Sequence, residues 1–150
     1  MTGTAVRSFV DTGPVLERAW AERAGLGWIG KNSCLLTRES GSWLLLAELL
    51  TTAELEPDPG PHSDFCGSCT ACIEVCPTEA IVSSGVVDSN RCISYWTIEH
   101  RGAVPEHRRA GNGDWIFGCD VCQEVCPWNE RFARDFDNYY SLAYRAPVSD

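Results

Sequence analysis

The sequence predicts an α+β chain in two unequal pieces, and three observations carry that prediction. Short alternating or apolar runs flank one amphipathic helix in the first third of the chain. The stretch LEPDPGPHSD, residues 55–64, then places three prolines in ten positions, which neither a helix nor a central strand accommodates. Beyond it stand two cysteine runs, CGSCTACIEVCP (66–77) and CDVCQEVCP (119–127), separated by a helical stretch. The expected division is 1–56, 57–136, and the start of a further segment at 137–150.

In order along the chain, AVRSFV (5–10) alternates well enough for a short strand. The TGP that follows opens a helix with Pro14 at its first position, where a missing N–H costs nothing. VLERAWAERA continues that helix until Gly25 stops it. SCLLTR and SWLLLAELLTT read as two strands joined across ESG, the second so apolar that burial on both faces is expected. After the proline-rich break come a short helix within the first cysteine run, the turn SGVVDSN, a helix from about Asp88 to His100, the basic loop RGAVPEHRRAG, and the second cysteine run. Residues 137–150 show no strong period.

At 150 residues with 44% hydrophobic content the chain can close a modest core. No run of 18 apolar residues occurs, and MTGTAVRSFVDTG lacks the charged-then-apolar layout of a secretory signal, so a cytoplasmic protein without a membrane partner is expected. The formal charge of −9, from 12 basic and 21 acidic residues, argues against a surface that grips nucleic acid everywhere. Any such contact must be local.

The nine cysteines are an odd number, and their tight spacing suits metal ligation better than disulfides. C-x2-C-x2-C-x3-C-P is the bacterial ferredoxin spacing, in which three thiolates wrap one [4Fe–4S] cluster and the fourth, before proline, reaches the other. Cys66, Cys69 and Cys72 then hold cluster one, and Cys76 crosses to cluster two. In the second run Ile116 stands where the first cysteine of such a triplet belongs, so Cys119 and Cys122 leave cluster two one ligand short. Cys92 is the candidate that completes it, while Cys126 crosses back to cluster one. A pair of zinc sites is the alternative, but zinc motifs pair cysteines across a long knuckle, which this run does not. Cys34, left over in an apolar stretch, reads as a small buried hydrophobe.

Two further motifs are ambiguous on spacing alone. Gly25, Gly27 and Gly30 spell G-x-G-x-x-G, but the run follows a helix and enters a strand, the reverse of the dinucleotide-binding context, so a helix stop and tight turn is the better reading. Asp11 sits between a strand end and a helix start. There a carboxylate can face a pocket, or Asp11 or Thr12 can merely cap the helix.

The ordered set VDTGPVLERAWAERAGLGWIGKNSCLLT, GSWLLLAELLTT, CGSCTACIEVCPTEAI, RCISYWTIEHRG and IFGCDVCQEVCPWN, about Val10 to Phe132, closely resembles the epoxyqueuosine reductase family. The resemblance implies the C-terminal half of a nitroreductase-like, cobalamin-binding domain followed by a ferredoxin-like module with two [4Fe–4S] clusters. It implies reduction of epoxyqueuosine to queuosine at the wobble position of tRNA, with electrons from an external donor passing through the clusters to cobalamin. A ferredoxin-type protein serving a separate reductase is the rival reading.

By the same resemblance Asp11 is the acid that protonates the leaving oxygen, a role that requires a carboxyl group kept neutral by burial. Asn32, Ser33, Glu99 and Asp120 match segments that line the cobalamin. His100 and Arg101 begin the stretch facing the tRNA, with Arg108 and Arg109 in the basic loop beyond. Without the resemblance, Glu99 and His100 read as a solvated helix end and the arginines as a charged surface loop. The family's cobalamin domain has roughly as much chain again before its aspartate motif, and many members carry C-terminal repeats for RNA binding. The chain is therefore expected to be an excerpt, acting as a monomer, with part of the corrinoid site missing.

Overall fold

The computed structural model describes residues 4–130, so the expected segment at 137–150 lies outside the described residues. Strand β1 (Val6–Phe9) pairs antiparallel with β4 (Glu48–Thr51), and β2 (Trp28–Ile29) with β3 (Leu35–Leu36). A third two-stranded ribbon, β5 (Ile81–Ser83) and β6 (Val86–Val87), follows the first cysteine run. The helices are short: α1 (Glu17–Arg23), α2 (Ala71–Glu74), α3 (Glu106–Asn112) and α4 (Val121–Glu124). Helices α2 and α4, one inside each cysteine run, pack against each other.

Helix α1 is shorter than its sequence period suggests. It starts at Glu17, with no side-chain cap, so Pro14 lies ahead of it and neither Asp11 nor Thr12 caps it. Its end is as expected: Gly25 takes φ 73°, its N–H bonds the Glu22 carbonyl, and the Leu26 N–H bonds the Ala21 carbonyl. This is the paired-bond helix stop that glycine permits. Gly27 then lets the β2 backbone approach β3, because a Cβ there would collide with the Leu36 carbonyl. The G-x-G-x-x-G run is a helix stop and a tight hairpin.

Four expectations fail. SCLLTR and SWLLLAELLTT do not pair across ESG. Only an isolated Thr37–Gly41 bridge forms there, β3 having turned back on β2 through Gly30–Cys34. Nor is the apolar run buried on both faces: Leu49 and Leu50 are 69% and 54% exposed, because β1 and β4 form a bare two-stranded ribbon among the described residues.

The expected helix 88–100 is broken. A 3₁₀ turn at Ser89–Arg91 ends where Cys92 takes extended angles (φ −77°, ψ 125°), and a π turn follows at Tyr95–Glu99. The wide turn is held by the Thr97 hydroxyl, which donates to the Ile93 carbonyl at 2.8 Å and accepts from the Gly118 N–H at 3.0 Å. Finally, the basic loop is helical where Arg108 and Arg109 lie, in α3.

A buried cluster joins the stretches before and after the proline-rich break. Trp28, 1% exposed, meets Phe65 and Trp128 edge-on at centroid distances of 5.1 and 5.0 Å. Leu36 and Cys126 join them. A polar seam runs beside this core. Asn129, also 1% exposed, accepts from the Ser42 N–H (2.7 Å) and donates to the Ser42 hydroxyl and the Gln123 carbonyl, each at 2.8 Å. Each buried polar group there has a partner, so the loop at Ser42 is locked onto the second cysteine run.

Candidate metal centre

The backbone turns of the two cysteine runs aim their thiols into two separate cavities. Cys66, Cys69, Cys72 and Cys126 line one of about 280 Å³. Cys76, Cys92, Cys119 and Cys122 line another of about 650 Å³. These are the two quartets assigned from spacing, including the exchange of Cys76 and Cys126 between runs. The break at Cys92 is what lets that residue reach the second cavity, and the Ser94 hydroxyl ties its segment to the Cys119 carbonyl at 3.1 Å. Among the described residues no three Cys, His, Asp or Glu side chains converge on a single-ion site. The thiols surround voids instead, an arrangement that suits a cube whose corner irons each take one thiolate.

Burial sets the chemistry of the thiols. It pushes Cys122 up to about 12, and raises Cys72, Cys119 and Cys126 as well. At Cys76 burial also opposes ionisation. There, hydrogen bonds from the backbone of Ala80, at 3.2 Å, and from Thr78 outweigh it and lower the thiol. Most of these groups are therefore protonated in neutral solution without metal, and metal uptake must expel their protons.

The second cavity extends beyond its quartet. Asn32, Ser33, Glu99 and Asp120 line it, so the structure gathers these four around one space. Asn32 is buried, accepting from the Cys34 N–H and donating to the Cys122 carbonyl, each at 3.2 Å. Asp120 accepts from Gln123 Nε2 at 2.7 Å. Cys34 belongs here too rather than to an apolar core. It lines the second cavity, and burial pushes its thiol up to about 11 despite the nearby Arg18.

Asp11 stands apart. It is exposed, takes the left-handed φ of 58°, and lines neither cavity. Aspartate tolerates that conformation better than most residues, yet it is uncommon outside glycine. His100 is no plain solvated helix end, since its ring packs on Trp96 at 4.6 Å. Arg101 is exposed. Arg109 Nε donates to the Val104 carbonyl at 2.9 Å, and Arg108 Nε is buried without a partner among the described residues. Two residues escaped the sequence reading: Arg18, which lines the second cavity, and Lys31, which lines the first. Only Lys31 left a signal, as the cation in the GKNS turn.

Comparison with known proteins agrees with this geometry. Residues 65–129 match a family described as a 4Fe-4S double cluster binding domain. An epoxyqueuosine reductase from Synechocystis sp. is 56% identical over 139 residues, covering 89% of this chain and 48% of the relative. Among solved structures, epoxyqueuosine reductase with a tRNA-Tyr epoxyqueuosine-modified tRNA stem loop superposes with a TM-score of 0.79 at 46% identity, over 85% of this chain and 33% of that one. The Bacillus subtilis enzyme, described with an aspartate-bearing catalytic loop swung out of its active site, gives 0.78 at 42% identity, over 87% and 34%. The chain spans about half the length of the curated relatives it matches, or less. In sequence and in fold, this chain is similar to one stretch of the epoxyqueuosine reductases, and within it residues 65–129 match the double-cluster family.

Proposed function

We propose that the chain is the electron-delivering part of an oxidoreductase that converts epoxyqueuosine to queuosine at the wobble position of tRNA. The observation that carries this is the inequality of the two cavities. One fits a cluster, whereas the other runs from its thiols to a polar wall of Ser33, Glu99 and Asp120, with Asn32 shared between the two. That wall suits the edge of a large polar cofactor, and cobalamin is the one the sequence resemblance implies. When bound, the clusters and cobalamin supply the reducing electrons that open the epoxide.

The chain's own residues do the rest. The quartet Cys66, Cys69, Cys72 and Cys126 holds cluster one, and the quartet Cys76, Cys92, Cys119 and Cys122 holds cluster two. Asn32 and Asp120, each hydrogen-bonded in place, orient the cofactor's polar periphery, with Ser33 and Glu99 at the same wall. Asp11 holds the proton delivered to the leaving oxygen. Its exposed, left-handed turn is read as the open position of a loop that closes over substrate, a reading supported by the swung-out catalytic loop described for the Bacillus subtilis protein. His100, Arg101 and the α3 arginines, Arg108 and Arg109, face the tRNA, a local basic surface on an acidic chain. An external donor supplies the electrons, in the cytoplasm, to a monomer.

The test is a full-length counterpart carrying Asp→Asn at the position of Asp11. An amide cannot deliver a proton, so turnover should fall by about 10²–10⁴-fold with clusters and cobalamin retained. Turnover near the wild-type rate removes Asp11 from the chemistry. Failure of that counterpart to bind cobalamin favours the rival, an electron-transfer protein serving a separate reductase.

A further inference from the structure

The hairpin turn between β2 and β3 touches both cysteine runs. Its own shape is fixed from four sides: the Gly30 N–H bonds the Cys34 carbonyl and the Ser33 N–H bonds the Gly30 carbonyl, both at 2.9 Å. The Gly85 N–H, at the β5–β6 turn, bonds the Lys31 carbonyl at 3.0 Å, and the Arg18 guanidinium donates to the carbonyl and hydroxyl of Ser33. From this rigid base two adjacent side chains diverge. Lys31 Nζ donates to the carbonyls of Gly67 (2.7 Å) and Cys69 (2.8 Å) in the first run, while Asn32 Nδ2 donates to that of Cys122 in the second.

The two prongs differ in charge. Lys31 lines the first cavity, and among the described residues no carboxylate pairs with it, the single ion pair being Arg91–Asp88. Asn32, the prong to the second run, is neutral; the cation on the second cavity, Arg18, comes from α1 and donates to Ser33. Reducing a cluster adds one negative charge, which a nearby uncompensated ammonium stabilises and an amide does not.

We propose that Lys31 is a positioning residue for cluster one. It clamps the Gly67–Cys69 backbone and, through its charge, holds that cluster at a higher reduction potential than it would otherwise have, so that one turn both spaces the two cluster loops and tunes the potential of the first. The inference rests on the double-cluster reading above.

The experiment uses the 150-residue chain, reconstituted anaerobically with iron and sulfide, and follows reduction by dithionite with EPR at fixed potentials. Signals are assigned with Cys92→Ala and Cys126→Ala, each of which leaves a single cluster. In Lys31→Met the reduced-to-oxidised ratio of cluster one should fall about tenfold at a given potential, equivalent to ~59 mV for one electron, with cluster two unchanged. Lys31→Arg, which keeps the charge, should stay near wild type. Selective loss of cluster one from Lys31→Met, with retention in Lys31→Arg, supports the clamp equally. An unshifted cluster one, an equal shift in both clusters, or an arginine variant that behaves like the methionine one overturns the proposal while the double-cluster reading stands. A wild-type chain that takes up fewer than two clusters overturns both.

Discussion

The first cavity, about 280 Å³, is walled beyond its thiols chiefly by Leu36, Phe65 and Trp128, with Lys31 and Asn32 at one side, whereas the second, about 650 Å³, shares Asn32 and adds Arg18, Ser33, Glu99 and Asp120. Both begin from the same spacing, and the divergence traces to a single position. Where a ferredoxin-type triplet would continue, the second run has Ile116, which lies 91% exposed. Cys92, from a separate segment tied to Cys119 by Ser94 and to Gly118 by Thr97, lines the second cavity instead. The same segment brings Tyr95, Ile98 and Glu99 to the wall of the second cavity. From two similar runs there thus arise a smaller site with aromatic walls and a larger one whose wall carries the carboxylates of Glu99 and Asp120.

The sharpest way to break that comparison is to delete one thiol from each quartet. Cys92→Ala should cost the second cluster, taking bound iron from about eight to about four per chain, and Cys126→Ala should cost the first, because each thiolate serves one corner of one cube. Iron and sulfide analysis with visible and EPR spectra decides it. Loss of the same signal in both variants would dissolve the two-quartet assignment.

A second, smaller effect separates the walls. Trp28→Ala removes the ring packed behind Phe65 and Trp128, which line the first cavity, and should destabilise the protein by about 3–5 kcal/mol. Chelator should then strip cluster one faster than cluster two, a ranking that timed iron release measures. Equal acceleration at both would show that the aromatic wall supports the whole fold rather than one site.

The quartets were legible because ligand spacing is dictated by cluster geometry, which does not depend on what surrounds it. Gly25 and Gly27 were legible for a similar reason: a helix stop and a close backbone approach admit little else. Strand pairing was not. β3 and β4 carry similar apolar runs, and nothing local in SCLLTR or SWLLLAELLTT says that one partners β2 and the other β1. The break at Cys92 was hidden too, since VDSNRCISYWTIEH keeps a helical pattern, and the extended angles at Cys92 reflect where its thiol must go. Arg108 and Arg109 were placed in a loop because flanking glycine and proline dominate that stretch, although Pro105 turns out to precede the helix they occupy.

Cys34 offers the smallest effect and the most discriminating one. It is a fifth thiol on the second cavity, next to Cys122, so that cavity, unlike the first, has more sulfur than a cluster needs. Two arrangements would be chemically reasonable: Cys92 as ligand with Cys34 as lining, or the reverse. The backbone favours the former. Cys34 is fixed within the hairpin turn, its N–H held by Asn32 Oδ1 and its carbonyl by Gly30, with its sulfur 3.9 Å from the Asn32 carbonyl. Cys92, by contrast, sits where the chain departs from helix and turns toward Cys119. Cys34→Ala should therefore keep about eight iron per chain and cost only about 1 kcal/mol, the scale of a small truncation at a half-buried site. Cys34→Ala combined with Cys92→Ala should look like Cys92→Ala alone in iron content. If instead Cys34→Ala empties the second cavity and Cys92→Ala leaves it filled, the two thiols exchange roles, and the wall carrying Asn32 and Ser33 becomes part of the ligand shell itself.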